Sequence, residues 1–323
     1  MTNRENVIAA VRGEQVDRVP AGFWLHFPED CFYGEQAVQA HLKFFQETGT
    51  DIMKIMNENV FPCDIPIREP ADWGKIRPFG RNASFIQDQL EITKRILDQV
   101  HDKGVVLLTV HGLVASAWHA RGGTSGYEPG RTSFLTDHLR RDPKAVKQAY
   151  EAIAETLTIL TEEALKVGVD GIYYAALGGE SYLYTDEEFE EFIKPYDLQI
   201  LHAADKRPAF NILHICKDRL NLTRYQDYPG DVINWGVFSE NPSLKEGQKL
   251  FAGRAILGGL DDRSGVLVDG TMEQIHQAVY QLLDEMGTHK FLLGADCTLP
   301  TEISAERIRA AVDATKEYAK QHR

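Results

Sequence analysis

The sequence is poor in the features that mark secreted, membrane-spanning or nucleic-acid-binding proteins. Only four of its 323 residues are cysteine (Cys31, Cys63, Cys216 and Cys297), too few for the disulfide framework of a small secreted domain. No apolar run approaches the roughly 18 to 20 residues that a transmembrane helix needs. Basic residues are also scarce, since 35 Lys and Arg stand against 48 Asp and Glu. The formal charge of −13 disfavours nucleic acid and anionic membranes as partners.

The N-terminal segment MTNRENVIAAVRGEQ lacks the continuous apolar stretch of a secretory signal peptide, because charged residues interrupt it. We therefore expect a cytoplasmic protein whose free cysteines are candidates for metal binding or redox chemistry. Hydrophobic residues make up 43% of the chain and charged residues 26%, close to the average of soluble globular proteins. This composition is sufficient for a large core.

Short apolar runs alternate with longer segments of helical periodicity along the chain. The eight runs are AGFWLHF from Ala21, DIMKIM from Asp51, VVLLTVHG from Val105, GIYYAA from Gly171, AFNILHIC from Ala209, VINWGVF from Val232, AILGGLD from Ala255 and KFLLGADC from Lys290. Eight strands alternating with helices are typical of a closed barrel or an open doubly wound sheet. The first run leads into HFPEDCFYGEQ, which lacks the glycine-rich phosphate turn of an open sheet. We predict an α/β fold with a single (β/α)8 (TIM) barrel domain over residues 1–323, in which residues 1–20 form an N-terminal helical extension.

Three candidate metal ligands lie at the ends of two predicted strands. His214 and Cys216 end the fifth run, and the alternation of side chains along a strand lets both face the barrel axis. Cys297 ends the eighth run, and the carboxyl ends of barrel strands meet at one mouth. Two thiolates and one imidazole suit zinc better than magnesium or calcium, and three protein ligands leave one position open. From spacing alone, the alternative that these are ordinary buried core residues stays open.

A long glycine-rich segment follows the third run. It spans residues 112–137 and contains Trp118, His119, Arg121, Tyr127 and Arg131. Because long loops in compact domains often cover a binding site, we expect a lid here. A surface excursion without function is an equal alternative.

Several segments resemble the uroporphyrinogen decarboxylase superfamily, and specifically its zinc-dependent corrinoid:thiol methyltransferases, such as the cobalamin:coenzyme M methyltransferases. The markers are ENVIAAVRGEQVDRVPAGFW at the start, LHICKD in the fifth predicted strand and LLGADCTLPTEIS in the eighth. The similarity spans nearly the whole length. It implies a zinc site at His214, Cys216 and Cys297. It also implies transfer of a methyl group from a corrinoid (cobalamin), carried by a partner protein, to a small thiol or pterin acceptor.

The resemblance also points to neighbours of this site. Glu240, just past the sixth run, stands where a glutamate completes a similar zinc set in cobalamin-independent methionine synthases. Glu180, in the loop after the fourth run, and His26, after the first, are alternatives for that fourth position. Glu58 falls near the decarboxylase carboxylate that steers the pyrrole NH groups. We assign His26, Glu58, Glu180 and Tyr182 to substrate binding.

Two rival functions remain. The decarboxylases carry an arginine-rich segment after the first strand, where this chain reads WLHFPEDCFYGE. Because a porphyrinogen with four acetate and four propionate groups needs cationic partners, the missing arginines make metal-free tetrapyrrole decarboxylation the runner-up. The third hypothesis is a non-catalytic barrel that binds a thiol or a corrinoid. The sequence leaves open the methyl donor, the acceptor and whether the chain forms a homodimer.

Overall fold

A computed structural model describes residues 1–62, 65–100, 103–122, 133–205 and 210–322. Eight parallel strands form one sheet: β1 Ala21–Gly22, β2 Ile52–Ile55, β3 Val105–His111, β4 Gly171–Ala176, β5 Ile212–Ile215, β6 Val232–Trp235, β7 Ala255–Leu260 and β8 Phe291–Ala295. The order of paired strands is β1-β8-β7-β6-β5-β4-β3-β2. At the remaining seam, the amide of Asp51 donates to the carbonyl of Ala21 (2.8 Å). The strands thus form a nearly closed barrel, and the predicted single (β/α)8 barrel is confirmed.

Helices surround this barrel. They are α1 Asn3–Arg12, α2 Gly34–Thr48, α3 Ser84–Val100, α4 Leu113–Ala120, α5 Ser133–Arg141, α6 Pro143–Val167, α7 Asp186–Phe192, α8 Lys194–Ala204, α9 Leu244–Leu250, α10 Gly265–Asp269, α11 Met272–Met286 and α12 Ala305–Gln321. Three of them, α1, α7 and α11, begin at a threonine that exchanges hydrogen bonds with the Glu or Gln three residues later. Within the described ranges, no helix combines the length and the apolar character that a bilayer crossing requires.

The barrel interior holds its own apolar cluster, separate from the larger one between the strands and the outer helices. Its members are Val7, Trp24, Ile52, Met56, Val105, Leu107, Tyr173, Ile212, Val232, Ala255, Leu257 and Leu292. Along β2, Met53 and Ile55 belong to the outer cluster, whereas Ile52 and Met56 belong to the inner one. This alternation places Lys54 of β2 on the inner face, as it does His214 of β5 and Asn234 of β6.

The segment predicted as an N-terminal helical extension contains α1, which lies across the N-terminal ends of the strands. Val7 packs into the inner cluster beside β3, β7 and β8. Farther along, both amino groups of the Arg18 guanidinium donate to the buried carboxylate of Asp51 (2.7 and 2.6 Å), just before β2. The segment therefore packs into the barrel and covers its lower end.

The first strand is much shorter than the run AGFWLHF that predicted it. Only Ala21 and Gly22 pair with β8, at Leu293 and Gly294. The chain then leaves the regular ladder, and Leu25 returns for a single bridge to Leu299. The run is apolar because Trp24 fills the barrel interior, so its hydrophobicity reflects burial rather than strand length.

The predicted lid is wrong for the described part of its segment. Residues 113–120 form α4, and α5 begins at Ser133. All eight residues of α4 are buried, because LVASAWHA is apolar on almost every face. Gly112 permits this packing, since a Cβ there would lie 2.8 Å from the carbonyl oxygen of Ala175. Tyr127 and Arg131 lie outside the described residues.

Candidate metal centre

Three side chains meet at the barrel mouth: His214 on β5, Cys216 just after it and Cys297 just after β8. The two sulfurs lie 3.8 Å apart, and Cys297 Sγ lies 3.3 Å from His214 Nε2. All three ligand atoms lie within 4.8 Å of one another. Tetrahedral zinc, with bonds of about 2.3 Å to sulfur and about 2.0 Å to nitrogen, places such atoms roughly 3.8 Å (S to S) and 3.6 Å (S to N) apart. The donor set and its spacing fit a zinc ion.

The backbone explains why His214 and Cys216 face the same way. His214 pairs with Ala175 of β4 and Asn234 of β6. Beyond the end of β5, the amide of Cys216 still donates to the carbonyl of Ala176 (3.0 Å), so the strand alternation continues through the cysteine. The next residue, Lys217, has a left-handed backbone (φ 93°), and the chain turns away directly after the ligand.

Asn234 fixes the tautomer of His214. Its side-chain amide donates to the carbonyls of Leu257 (3.0 Å) and Ala295 (3.1 Å), so its Oδ1 is left as an acceptor 2.6 Å from His214 Nδ1. The proton of the imidazole therefore sits on Nδ1, and the lone pair of Nε2 points toward Cys297. The ring of Tyr173 stacks on the imidazole with 5.3 Å between ring centres. The ring is held in the state that a metal ligand needs.

The two cysteines influence each other's protonation. The hydrogen bond to Cys297, together with burial, raises the pKa of Cys216 well above its ordinary value. The same hydrogen bond lowers the pKa of Cys297, against the effect of burial. The fold alone therefore favours one thiolate in the pair, and a second requires a further positive charge. A metal cation supplies that charge, which agrees with the donor set.

On the β1–β2 side of the mouth, the structure brings together two residues assigned to substrate binding. His26 Nδ1 lies 2.6 Å from Glu58 Oε1. Burial opposes ionisation of Glu58, but the hydrogen bond with His26 and the charges of His26 and Lys54 outweigh it and lower its pKa. Glu58 is thus an anion that orients His26.

The other three predicted residues occupy different environments. Glu180 is fully buried, and its charge adds to the raised pKa of Cys216, after the larger effects of Cys297 and burial. Tyr182 is 42% exposed and donates to Asp218 (2.9 Å). Glu240 is exposed, has a left-handed backbone (φ 55°) and lies outside the three-residue ligand group. The choice of Glu240 as a fourth ligand stays a prediction. Of the two glutamates, Glu180 is the one whose charge affects the pKa of Cys216.

Two polar residues of the barrel interior, Asn234 and Lys54, were not predicted from the sequence. Lys54 is only 6% exposed, and its Nζ lies 4.4 Å from the ring centre of Tyr173. Burial lowers the pKa of Lys54 to about 8, against the negative charges of Cys297, Glu58 and Cys216. Both residues stand inside apolar runs, DIMKIM and VINWGVF, and a polar residue on the buried face of a strand is the signal that could have identified them.

Comparisons with known proteins agree with this barrel. Residues 55–318 match the sequence model of uroporphyrinogen decarboxylase (URO-D). The uroporphyrinogen decarboxylase of Flavobacterium johnsoniae is 23% identical over 282 residues, covering 84% of this chain and 76% of the relative. Among solved structures, a methyltransferase from Methanosarcina mazei superposes with a TM-score of 0.77 at 18% identity, covering 98% of this chain and 99% of that one.

A B12-independent methionine synthase from Shewanella sp. W3-18-1 has a TM-score of 0.63 at 14% identity, over 94% of this chain and 98% of that one. At such identities the two solved structures bear on the fold alone. The family match is of a different kind, because it is made by the sequence itself and extends from the end of β2 into α12. By that match, the chain belongs to the uroporphyrinogen decarboxylase (URO-D) family.

Proposed function

We propose that the protein is a zinc-dependent methyltransferase that moves a methyl group from a methylated corrinoid, carried as cobalamin on a partner protein, to a small thiol or pterin acceptor. The observation that carries the proposal is the convergence of the ligand atoms of His214, Cys216 and Cys297, which lie within 4.8 Å of one another at the barrel mouth. These three donors leave a fourth position for an exchangeable ligand, which distinguishes a catalytic zinc site from a structural one.

Each residue has a defined part in this reaction. Bound zinc supplies the Lewis acidity that keeps an acceptor thiol in its thiolate form near neutral pH. His214 presents Nε2 to the metal, because Asn234 accepts a hydrogen bond from its Nδ1. The acceptor sulfur attacks the methyl carbon, and the new sulfur–carbon bond forms as the carbon–cobalt bond breaks. The electron pair of that bond stays on cobalt, so methylcob(III)alamin becomes cob(I)alamin.

The names of the structural relatives are in keeping with this proposal, since one is a methyltransferase and the other a methionine synthase. A shared barrel does not choose a reaction, however, because many chemistries use this fold. The proposal therefore depends on the three ligands and their spacing.

Decarboxylation of a tetrapyrrole is the second candidate, and the name of the Flavobacterium relative favours it. Residues 24–35, which follow β1, contain no arginine. A polycarboxylate macrocycle would need cations there. A metal-free decarboxylation would also give the converging cysteines and histidine no role.

The direct test follows cobalamin absorbance as methylcobalamin, or a methylated corrinoid protein, is mixed with the enzyme and a panel of thiols and pterins. We expect cob(I)alamin to form with the wild type and with Cys31→Ala, whose thiol lies outside the ligand group, but not with His214→Ala or Cys216→Ala. Accumulation of coproporphyrinogen from uroporphyrinogen, at a rate indifferent to chelator, would establish the decarboxylase instead. Binding of zinc and thiol without turnover would leave the non-catalytic barrel.

A further inference from the structure

A charged amine lies inside the barrel beside the candidate metal centre. Lys54 donates from Nζ to Met56 Sδ (3.0 Å) and lies over the rings of Tyr173 and Trp24, 4.4 and 5.5 Å from their centres. Within the described part of the chain, Lys54 forms no ion pair with a carboxylate. A thioether sulfur is a weak acceptor, and cation–π contacts replace only part of the lost hydration. A buried ammonium in such surroundings is costly to the fold, which indicates a function.

The groups around Lys54 come from several elements. His41 on α2 and His111 on β3 are neutral near pH 7, because burial lowers the pKa of each to about 4. Tyr173 on β4 is also neutral, because burial raises its pKa. Glu58, after β2, is already bound to His26.

Three anionic groups favour the ammonium form of Lys54, namely the thiolate of Cys297, the carboxylate of Glu58 and the thiolate of Cys216. The ring of Tyr173 links Lys54 to the candidate metal centre, since Lys54 contacts this ring and His214 stacks on it. Lys54 therefore faces the candidate metal centre as well as the carboxylate of Glu58.

The charge of that centre changes during the proposed reaction. A divalent ion with two thiolates and a neutral imidazole has no net charge. An acceptor bound as thiolate adds one negative charge, after its proton has left for the solvent. The methylated product is a neutral thioether, so the negative charge exists only while the acceptor is ready to react.

We propose that Lys54 is the internal counter-ion of the acceptor thiolate. Its ammonium offsets the negative charge that the centre gains on acceptor binding, and so favours the thiolate over the neutral thiol. It gives no such advantage to the thioether product, which favours product release. This inference rests on the proposed function, and it makes Lys54 an electrostatic positioning residue rather than a ligand.

The test uses the protein with cobalt(II) in place of zinc, because sulfur-to-cobalt charge-transfer absorption reports a bound thiolate without any turnover. The probe is 2-mercaptoethanol, which carries no charge except on its sulfur. The pH at which half of the thiolate band has formed is compared for the wild type, Lys54→Met and Met56→Leu. We expect the midpoint to rise by about one pH unit or more in Lys54→Met, because a nearby charge is lost. Met56→Leu keeps the charge and should keep the midpoint.

The outcomes separate the two proposals. If the wild type takes up no cobalt, the proposed function fails and the role of Lys54 fails with it. If cobalt and thiol bind but Lys54→Met keeps the wild-type midpoint, the role of Lys54 is refuted while the metal site stands. The role of Lys54 is also refuted if Lys54→Met weakens the binding of mercaptoacetate but not that of 2-mercaptoethanol. Lys54 would then bind the carboxylate of an acceptor. Should Lys54→Met not fold, Lys54→Gln provides the same comparison with a polar head group.

Discussion

Asn234 holds the imidazole of His214 from behind: its Oδ1 lies 2.6 Å from His214 Nδ1, on the opposite side of the ring from Cys297. Its own amide is bound to carbonyls of two other strands. The hydrogen-bond network that orients the ligand is therefore part of the barrel wall. Partners of this kind commonly contribute a factor of 10 to 100 in metal affinity.

Replacing Asn234 with Leu should weaken zinc binding by roughly 10- to 100-fold, because Nδ1 of His214 loses its acceptor. The measurement is the zinc dissociation constant by competition with a chelator. Thr109→Val is the matched control, since Thr109 is also buried in the barrel and donates to the carbonyl of Ile55 (2.7 Å). An equal loss of affinity in both variants would mean that general destabilisation, rather than ring orientation, is responsible.

One zinc ion per chain is expected in wild-type protein prepared with zinc, and Cys297→Ala should lose most of it. The physical reason is the loss of one of three ligands, which leaves two donors for a cation that prefers four. Elemental analysis of the purified proteins gives the answer, with Cys31→Ala as the control that should keep its metal. Retention of zinc by both Cys216→Ala and Cys297→Ala would refute the site.

The pair of His26 and Glu58 should matter for turnover but not for metal content. In Glu58→Gln the hydrogen bond to His26 loses its charge assistance, and we expect kcat/KM to fall by about tenfold with zinc unchanged. Glu29→Gln, an exposed change in the same loop region, should be neutral. Unaltered kcat/KM in Glu58→Gln would remove both residues from the acceptor site.

A buried carboxyl on α8 makes stability depend on pH. Asp197 accepts hydrogen bonds from Tyr174, from Tyr228 (3.2 Å) and from the amide of Leu113 (3.3 Å), yet burial raises its pKa to about 6. Because the folded state holds this proton more tightly than the unfolded state, the stabilisation is present below about pH 4 and is lost as the pH rises through about 6.

Asp197→Asn should therefore gain stability relative to wild type by about 2 kcal/mol between pH 4 and pH 7. The Tm of both proteins at the two pH values measures this change. Asp98→Asn, on the exposed face of α3, should show the same difference from wild type at both values. A constant difference for Asp197→Asn as well would contradict the raised pKa.

The sequence predicts the barrel and the convergence of the three candidate ligands, because both follow from local periodicity. Strand alternation places His214 and Cys216 on one face, and barrel geometry brings Cys297 to the same mouth. The contacts of Lys54 and Asn234 depend on which strands are neighbours and on the position of each side chain along the barrel axis. The residue pattern of a single strand gives neither of these. For residues 113–120 the lid expected after β3 is wrong, because the glycine content of the segment was given more weight than the apolar stretch that forms α4.

The helix α1, which covers the lower end of the barrel, has a consequence for the order of events. Val7 packs against the strands at that end. In the described part of the chain, the route to the metal centre is therefore through the barrel mouth. A carrier protein that docks over the mouth closes the route by which a small acceptor enters and its product leaves. On the proposed function, turnover then follows a compulsory order in which the acceptor binds before the carrier protein and the product leaves after the carrier protein has dissociated. Carrier protein in excess then inhibits the enzyme, because it binds enzyme that holds no acceptor.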